Sequence, residues 1–137
     1  MRRREVVSIN IVPQRCSKPI GRYVPGKLVP LVGAKSLLFI TGQVATDETG
    51  KTVGIGDPGI QAKKVFSNLL MVIEAAGGTL EHLVSITIYV TDMNHFKAIS
   101  AMRNELFKDH TPSSTLVEVK GLAQKEHLLE ISGIAVL

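Results

Sequence analysis

Apolar and polar residues alternate along several short segments of the chain, which is the period of a β-strand with one buried face. Alternation, or a short unbroken apolar run, predicts strands at Val7 to Ile11, Leu28 to Val32, Leu37 to Ala45, Val84 to Val90, Thr115 to Val119 and Leu128 to Val136. The segments between several of these strands are rich in glycine and proline, which is typical of loops.

Two other segments repeat apolar residues every three or four positions, which predicts helices. The first begins at Asp57-Pro58, with Asp as the N-cap and Pro at the first helical position, and it ends at Gly77-Gly78. The second follows Asp92 as its expected cap and ends before Pro112. Its stripe contains Phe96, Ile99, Arg103 and Leu106.

The order of these elements predicts an α+β fold, with a mixed sheet and two helices on one of its faces. Leu37 to Ile40 is apolar at every position, and Leu128 to Ile131 is nearly so. Strands of this kind are usually covered on both sides. Two helices cannot cover both faces of one sheet, so we expect a neighbouring subunit to cover the second face.

Composition and charge agree with one globular domain spanning residues 1–137, in which residues 1–5 form a frayed basic tail. Hydrophobic residues make up 45% of the chain and charged residues 20%, and there is no Trp. The net charge of +4 comes partly from Arg2 to Arg4, and the other basic residues are scattered among acidic ones. A nucleic-acid partner is therefore not expected, because such binders cluster their basic residues.

Cysteine and histidine usage argues against covalent or metal cross-links. Cys16 is the only cysteine, which excludes an intrachain disulfide, and four scattered His residues do not suggest a zinc site. No apolar run approaches the ~18 residues of a membrane span. We expect a cytoplasmic protein without a dedicated zinc site.

Glu130 is the first candidate for chemistry, since it interrupts an apolar final strand. A buried carboxylate without a partner is costly, so Glu130 is either a general acid/base with a raised pKa or a strand-edge residue paired with a surface Lys. Arg103 lies on the apolar stripe of the second helix. It either extends to solvent along its stem or binds a carboxylate with two hydrogen bonds.

Two further candidates lie in or beside loops. Gly42 ends a buried strand, where glycine lets a ligand approach the backbone or simply terminates the strand. Tyr23 lies in a loop rich in glycine and proline, where a phenol either covers a pocket or lies on the surface.

Several segments together resemble the RidA (YjgF-type) family. Pro19 to Tyr23 is similar to its N-terminal Ile-Gly-x-Tyr loop, and Leu38 to Val44 to its core strand ending in Ser-Gly-Gln. Ile88 to Met93 resembles the strand with its Asp turn, and Leu129 to Val136 the closing strand. The resemblance extends in order over about residues 19 to 137.

This resemblance implies a chorismate-mutase-like fold and a homotrimer with a cleft between each pair of subunits. It further implies hydrolysis of reactive enamines and imines to keto acids and ammonia, without metal or cofactor. Glu130 matches the family glutamate thought to hold the attacking water, and Tyr23 and Gly42 match site positions. Ser114 stands where the family's Pro-x-Arg motif places the arginine that binds the substrate carboxylate.

A serine hydroxyl cannot bind a carboxylate with two parallel hydrogen bonds. Either Arg103 replaces the missing arginine, or the substrate differs, or deaminase activity is lost. The first functional hypothesis is a hydrolase acting on a small, carboxylate-bearing enamine, imine or related metabolite. The alternative is a non-catalytic ligand-binding or chaperone-like trimer. An endoribonuclease, an activity attributed to some relatives, fits poorly with the few aromatic residues and the absence of a basic stripe.

Overall fold

The computed structural model describes residues 9–19, 25–31, 33 and 35–137, and this part of the chain forms one six-stranded sheet. The strands are β1 (Ile9–Ile11), β2 (Gly26–Pro30), β3 (Ser36–Gln43), β4 (Leu83–Val90), β5 (Ser113–Glu118) and β6 (Leu129–Val136). They lie in the order β1-β2-β3-β6-β4-β5. Among these described strands only β4 and β5 pair in parallel, so the predicted mixed sheet is confirmed.

The described ranges also contain two α-helices, α1 (Pro58–Ala75) and α2 (Phe96–Leu106). The carboxylate of Asp57 accepts a hydrogen bond from the Ile60 amide at 3.0 Å, as expected of an N-cap. After α1 the chain turns at Gly77, whose φ of +87° favours glycine, and the Gly78 amide donates to the Ile73 carbonyl. Both predicted ends of this helix are therefore confirmed.

The predicted cap of the second helix is wrong in one respect. Asp92 accepts a hydrogen bond from the Asn94 amide and so caps a short 3-10 turn, Met93–His95, that precedes α2. His95 is the residue directly before α2, and its side chain makes no capping bond. The sequence shows one helical pattern because the 3-10 turn leads directly into the α-helix.

The hydrophobic core lies between the helices and one face of the sheet. Leu38 and Ile40 point into it, with 0% and 3% of their surface exposed. Phe39 lies on the opposite face and is 44% exposed. The helices thus cover one face, as predicted, while the described residues leave the second face of β3 open at Phe39.

A β-bulge interrupts the pairing of β3 with β6. Ile40 pairs with Gly133 and Gln43 with Ile131, so β3 carries one extra residue between these pairs. Bulges bend a strand and re-aim its side chains, and they occur often beside active sites. The bulge contains Gly42, one of the predicted site residues. None of the helices in the described ranges is long and apolar enough to cross a membrane.

Candidate functional site

Glu130 lies in the middle of the sheet, near the start of β6, where it pairs with Tyr89 of β4. Its neighbours Leu129 and Ile131 are fully buried toward the helices, so the Glu130 side chain lies on the open face. The residue is half-buried, and no hydrogen bond or ion pair to its carboxylate is formed within the described part of the chain. Burial raises the pKa of this carboxyl above its ordinary value.

Gly42 lies directly against this carboxylate. A Cβ built on Gly42 would be 2.6 Å from Oε2 of Glu130 and 2.7 Å from its Cδ, closer than real Cβ contacts allow. The bulge in β3 lies at this point, and a side chain at position 42 would displace the carboxylate. The structure therefore brings together two of the predicted site residues, Glu130 and Gly42.

Both residues line an open cavity of about 330 Å³. Its wall also includes Lys18, Thr41, Thr46, Gln124 and His127. This is enough room for a metabolite of amino-acid size. Nowhere in the described ranges do three His, Cys, Asp or Glu side chains cluster in a way that could hold a metal ion.

His127 is a site residue that the sequence analysis did not identify. It is only 3% exposed, and its Nε2 lies 3.2 Å from the hydroxyl of Thr52. Its Nδ1 is buried and has no hydrogen-bond partner among the residues that the structure describes. Burial lowers the pKa of the imidazole, which favours its neutral form. The only signal in the sequence is its position, three residues before Glu130.

Arg103 and Ser114 line a second cavity, of about 450 Å³. Nη2 of Arg103 donates to the Ser100 hydroxyl at 3.1 Å, so the guanidinium lies along α2. Ser114 is exposed on β5, the edge strand. The other residues around this cavity are Asn104, Phe107, Thr111 and Pro112.

The two cavities lie on opposite faces of the sheet. Ser114 pairs with Ile86, which is buried on the helix side, whereas Glu130 pairs with Tyr89 on the open side. One chain alone therefore does not bring Arg103 or Ser114 next to Glu130. Tyr23, the remaining predicted site residue, lies outside the described residues, as do Arg2 to Arg4.

Comparison with known proteins gives consistent matches over nearly the whole chain. The family model described as endoribonuclease L-PSP matches residues 15–137. A RutC family protein of Pyrococcus horikoshii is 36% identical over 126 residues. The match covers 91% of this chain and 94% of the Pyrococcus protein.

Solved structures agree with this match. The crystal structure of E. coli TdcF with bound serine has a TM-score of 0.82 and 31% identity, covering 94% of this chain and 98% of that one. The crystal structure of the E. coli YjgF gene product has a TM-score of 0.81 and 30% identity, with the same coverage of 94% and 98%.

Proposed function

The chain belongs to the YjgF/RutC/RidA family, as its sequence resemblance predicts, and from that premise we propose that it is a homotrimer hydrolysing a small enamine or imine. The substrate carries a carboxylate and binds in a cleft between subunits, and Glu130 positions the attacking water.

The observation that carries this proposal is the unpaired, half-buried carboxylate of Glu130 in a cavity against Gly42. Because burial raises its pKa, the ionised form is a stronger base than an ordinary glutamate. A water bound to it can transfer a proton to the carboxylate while its oxygen attacks the C=N carbon. An enamine reaches the protonated C=N form by taking up a proton on its β-carbon, and attack on that form gives a neutral carbinolamine. The carboxyl of Glu130 then returns its proton to the carbinolamine nitrogen. The C–N bond breaks, ammonia leaves with the electron pair, and the hydroxyl loses its proton to solvent as it becomes the carbonyl of the keto acid.

The substrate carboxylate needs a cationic partner, and Arg103 is our candidate for it. Arg103 shares the second cavity with Ser114, on the other face of the sheet from Glu130. A cleft between two subunits joins the two half-sites if one subunit contributes Glu130 and its neighbour Arg103. That E. coli TdcF was crystallised with bound serine, an amino acid, supports a ligand of this class.

Glu130→Gln tests the catalytic role. Gln keeps the shape of the side chain but cannot accept a proton, so ammonia release from 2-aminoacrylate should fall by on the order of 10²-fold or more. Release is followed by a coupled ammonia assay, and light scattering and thermal unfolding verify that the variant assembles as the wild type does. Unchanged turnover in a correctly assembled variant would remove Glu130 from the mechanism.

A non-catalytic binding protein is the second candidate function, and one observation favours it. Ser114 offers a single hydroxyl, and Arg103 is already bonded to Ser100 on its own helix. Serine binding by a wild-type protein that releases no ammonia from any imine would establish this alternative. Because the family model is described as an endoribonuclease, RNA cleavage is assayed in parallel, with salt dependence as the criterion for genuine binding.

A further inference from the structure

His127 is an unusual residue for the place it occupies. It lies two residues before β6 and three before Glu130, and both side chains line the cavity of about 330 Å³. Only 3% of the residue is exposed. Buried histidines are normally hydrogen-bonded at both ring nitrogens, because an unsatisfied polar atom inside a protein costs free energy.

Only one of the two ring nitrogens has its requirement met within the described residues. A neutral imidazole has one donor and one acceptor, and a hydroxyl can fill either role. Thr52 Oγ1, at 3.2 Å, therefore satisfies Nε2 in either tautomer of the ring. Nδ1 donates one hydrogen bond or accepts one, depending on the tautomer, and it has no partner among the described residues.

A purely structural role does not explain this histidine. The backbone on both sides of it is already fixed by Gln61 of α1. Nε2 of Gln61 donates to the Glu126 carbonyl at 2.8 Å, and its Oε1 accepts from the Leu128 amide at 2.9 Å. The segment thus has its own anchor, and the imidazole contributes only the Thr52 contact and the unsatisfied Nδ1.

We propose that His127 is a specificity-determining residue of the Glu130 cavity, with Nδ1 forming a hydrogen bond to a polar group of the bound ligand while Thr52 holds the ring. The inference rests on the proposed function in taking this cavity as the binding site. It narrows the ligand class to small metabolites with two hydrogen-bonding groups. Glu130 contacts one of them, and His127 contacts a hydroxyl, amino or imino group.

Three substitutions at position 127 distinguish the contributions of the two ring nitrogens of His127. His127→Asn places an amide near the position of Nδ1 and loses the Thr52 contact. His127→Gln reaches the position of Nε2 and keeps that contact, and His127→Leu provides neither. His82→Leu is the matched control, because His82 lies outside the cavity and its Nδ1 accepts from the Thr79 amide.

The probe is L-serine, titrated by calorimetry against the intact protein, with thermal unfolding measured alongside. We expect His127→Asn and His82→Leu to bind serine as the wild type does. His127→Gln and His127→Leu should bind about five- to tenfold more weakly, the effect of one hydrogen bond. The melting temperature should follow a different order, with Gln above Asn. Affinities that follow the melting temperatures, or that no substitution changes, would overturn the proposal.

A second measurement separates this inference from the proposed hydrolysis. Ammonia release from 2-aminoacrylate is followed in the wild type, His127→Asn and His127→Leu. If the wild type binds serine but releases no ammonia, the hydrolysis is contradicted, and the serine affinities still decide the role of His127. If the wild type binds no serine, the proposed ligand contact at Nδ1 is overturned.

Discussion

At the scale of single residues, the Glu130 carboxylate occupies space that a side chain at position 42 would fill. Gly42→Ala would put a Cβ 2.6 Å from Oε2 of Glu130, so the carboxylate must move. The fold should survive, because the group that gives way is the far end of a flexible side chain. Displacement of a catalytic group by about 1 Å can cost on the order of 10²-fold in rate.

The expected result for Gly42→Ala is therefore a loss of about ten- to a hundredfold in ammonia release, with little change in melting temperature. Gly121→Ala is the matched control, because a Cβ on Gly121 would meet nothing within 4 Å. Equal turnover in the two variants would show that the position of the Glu130 carboxylate does not matter for the reaction.

The ionisation of Glu130 should also be visible in the pH dependence of stability. Burial raises the folded-state pKa of this carboxyl above 4.5, its ordinary value, which the unfolded chain keeps. Its contribution to stability is then fully present below pH 4.5 and is lost as the pH rises through the folded-state pKa. The Gln side chain of the Glu130→Gln variant does not titrate. The free energy of unfolding of this variant should therefore rise relative to that of the wild type as the pH increases from 4 to 7.

Denaturant unfolding at both pH values, at one fixed protein concentration, measures this gain. Glu74→Gln, which removes a carboxylate from the exposed side of α1, corrects for the loss of one surface charge. A gain no larger than that of Glu74→Gln would contradict the burial of a free carboxylate at position 130.

The candidate site was predictable residue by residue only where the local pattern is broken. Glu130 interrupts an apolar strand and Gly42 ends one, so both are visible in the sequence. His127 is not, because its partner Thr52 is 75 positions away and its burial depends on how α1 holds the segment before β6. Long-range contacts of this kind leave no periodicity in the chain.

At the scale of elements, the pattern of apolar residues predicted every strand and both helices in the described ranges. It was weaker at the ends of the elements, which pairing and hydrogen bonds decide. β5 begins at Ser113, two residues before the predicted start, because the exposed residues Ser113 and Ser114 pair in parallel with Ser85 and Ile86 of β4. Polar edge-strand residues carry no alternation from which such pairing could be predicted.

The cavity that α2 and β5 both line leads to a prediction on carboxylate binding. Arg103 of α2 and Ser114 of β5 line the same cavity, so an arginine at either position reaches it. If Arg103 binds the substrate carboxylate, Arg103→Ala should weaken serine affinity by about 10- to 150-fold, the value of a charge-assisted hydrogen bond. The double variant with Ser114→Arg should regain much of this loss, as calorimetry with L-serine would show.

Ser114→Arg alone is the informative third variant. Binding close to that of the wild type would mean that two arginines crowd one carboxylate site. Stronger binding together with new ammonia release would mean that the wild-type site lacks an arginine that binds the substrate carboxylate. Wild-type affinity in Arg103→Ala would place the carboxylate elsewhere.

At the scale of the whole molecule, the open face of the sheet is the feature that a single chain does not explain. Phe39 and Val117 are 44% and 40% exposed there, while the helices cover the other face completely enough to leave Leu38 and Ile40 buried. Glu130 lies on this same open face. A neighbouring subunit on it would cover the apolar residues and close the cavity beside Glu130 at once.

The expected assembly is a homotrimer at micromolar concentration, measured by light scattering coupled to size exclusion. Phe39→Glu places a charge on the open face, where an interface would bury it without a partner, so the trimer should dissociate and the exposed sheet should aggregate with time. Ile55→Glu is the control, because Ile55 is 70% exposed in a loop and the trimer should persist. Loss of ammonia release in Phe39→Glu but not in Ile55→Glu would tie activity to assembly, as a shared cleft requires. A wild-type protein that is monomeric and still active would contradict both the interface and the division of the site between subunits.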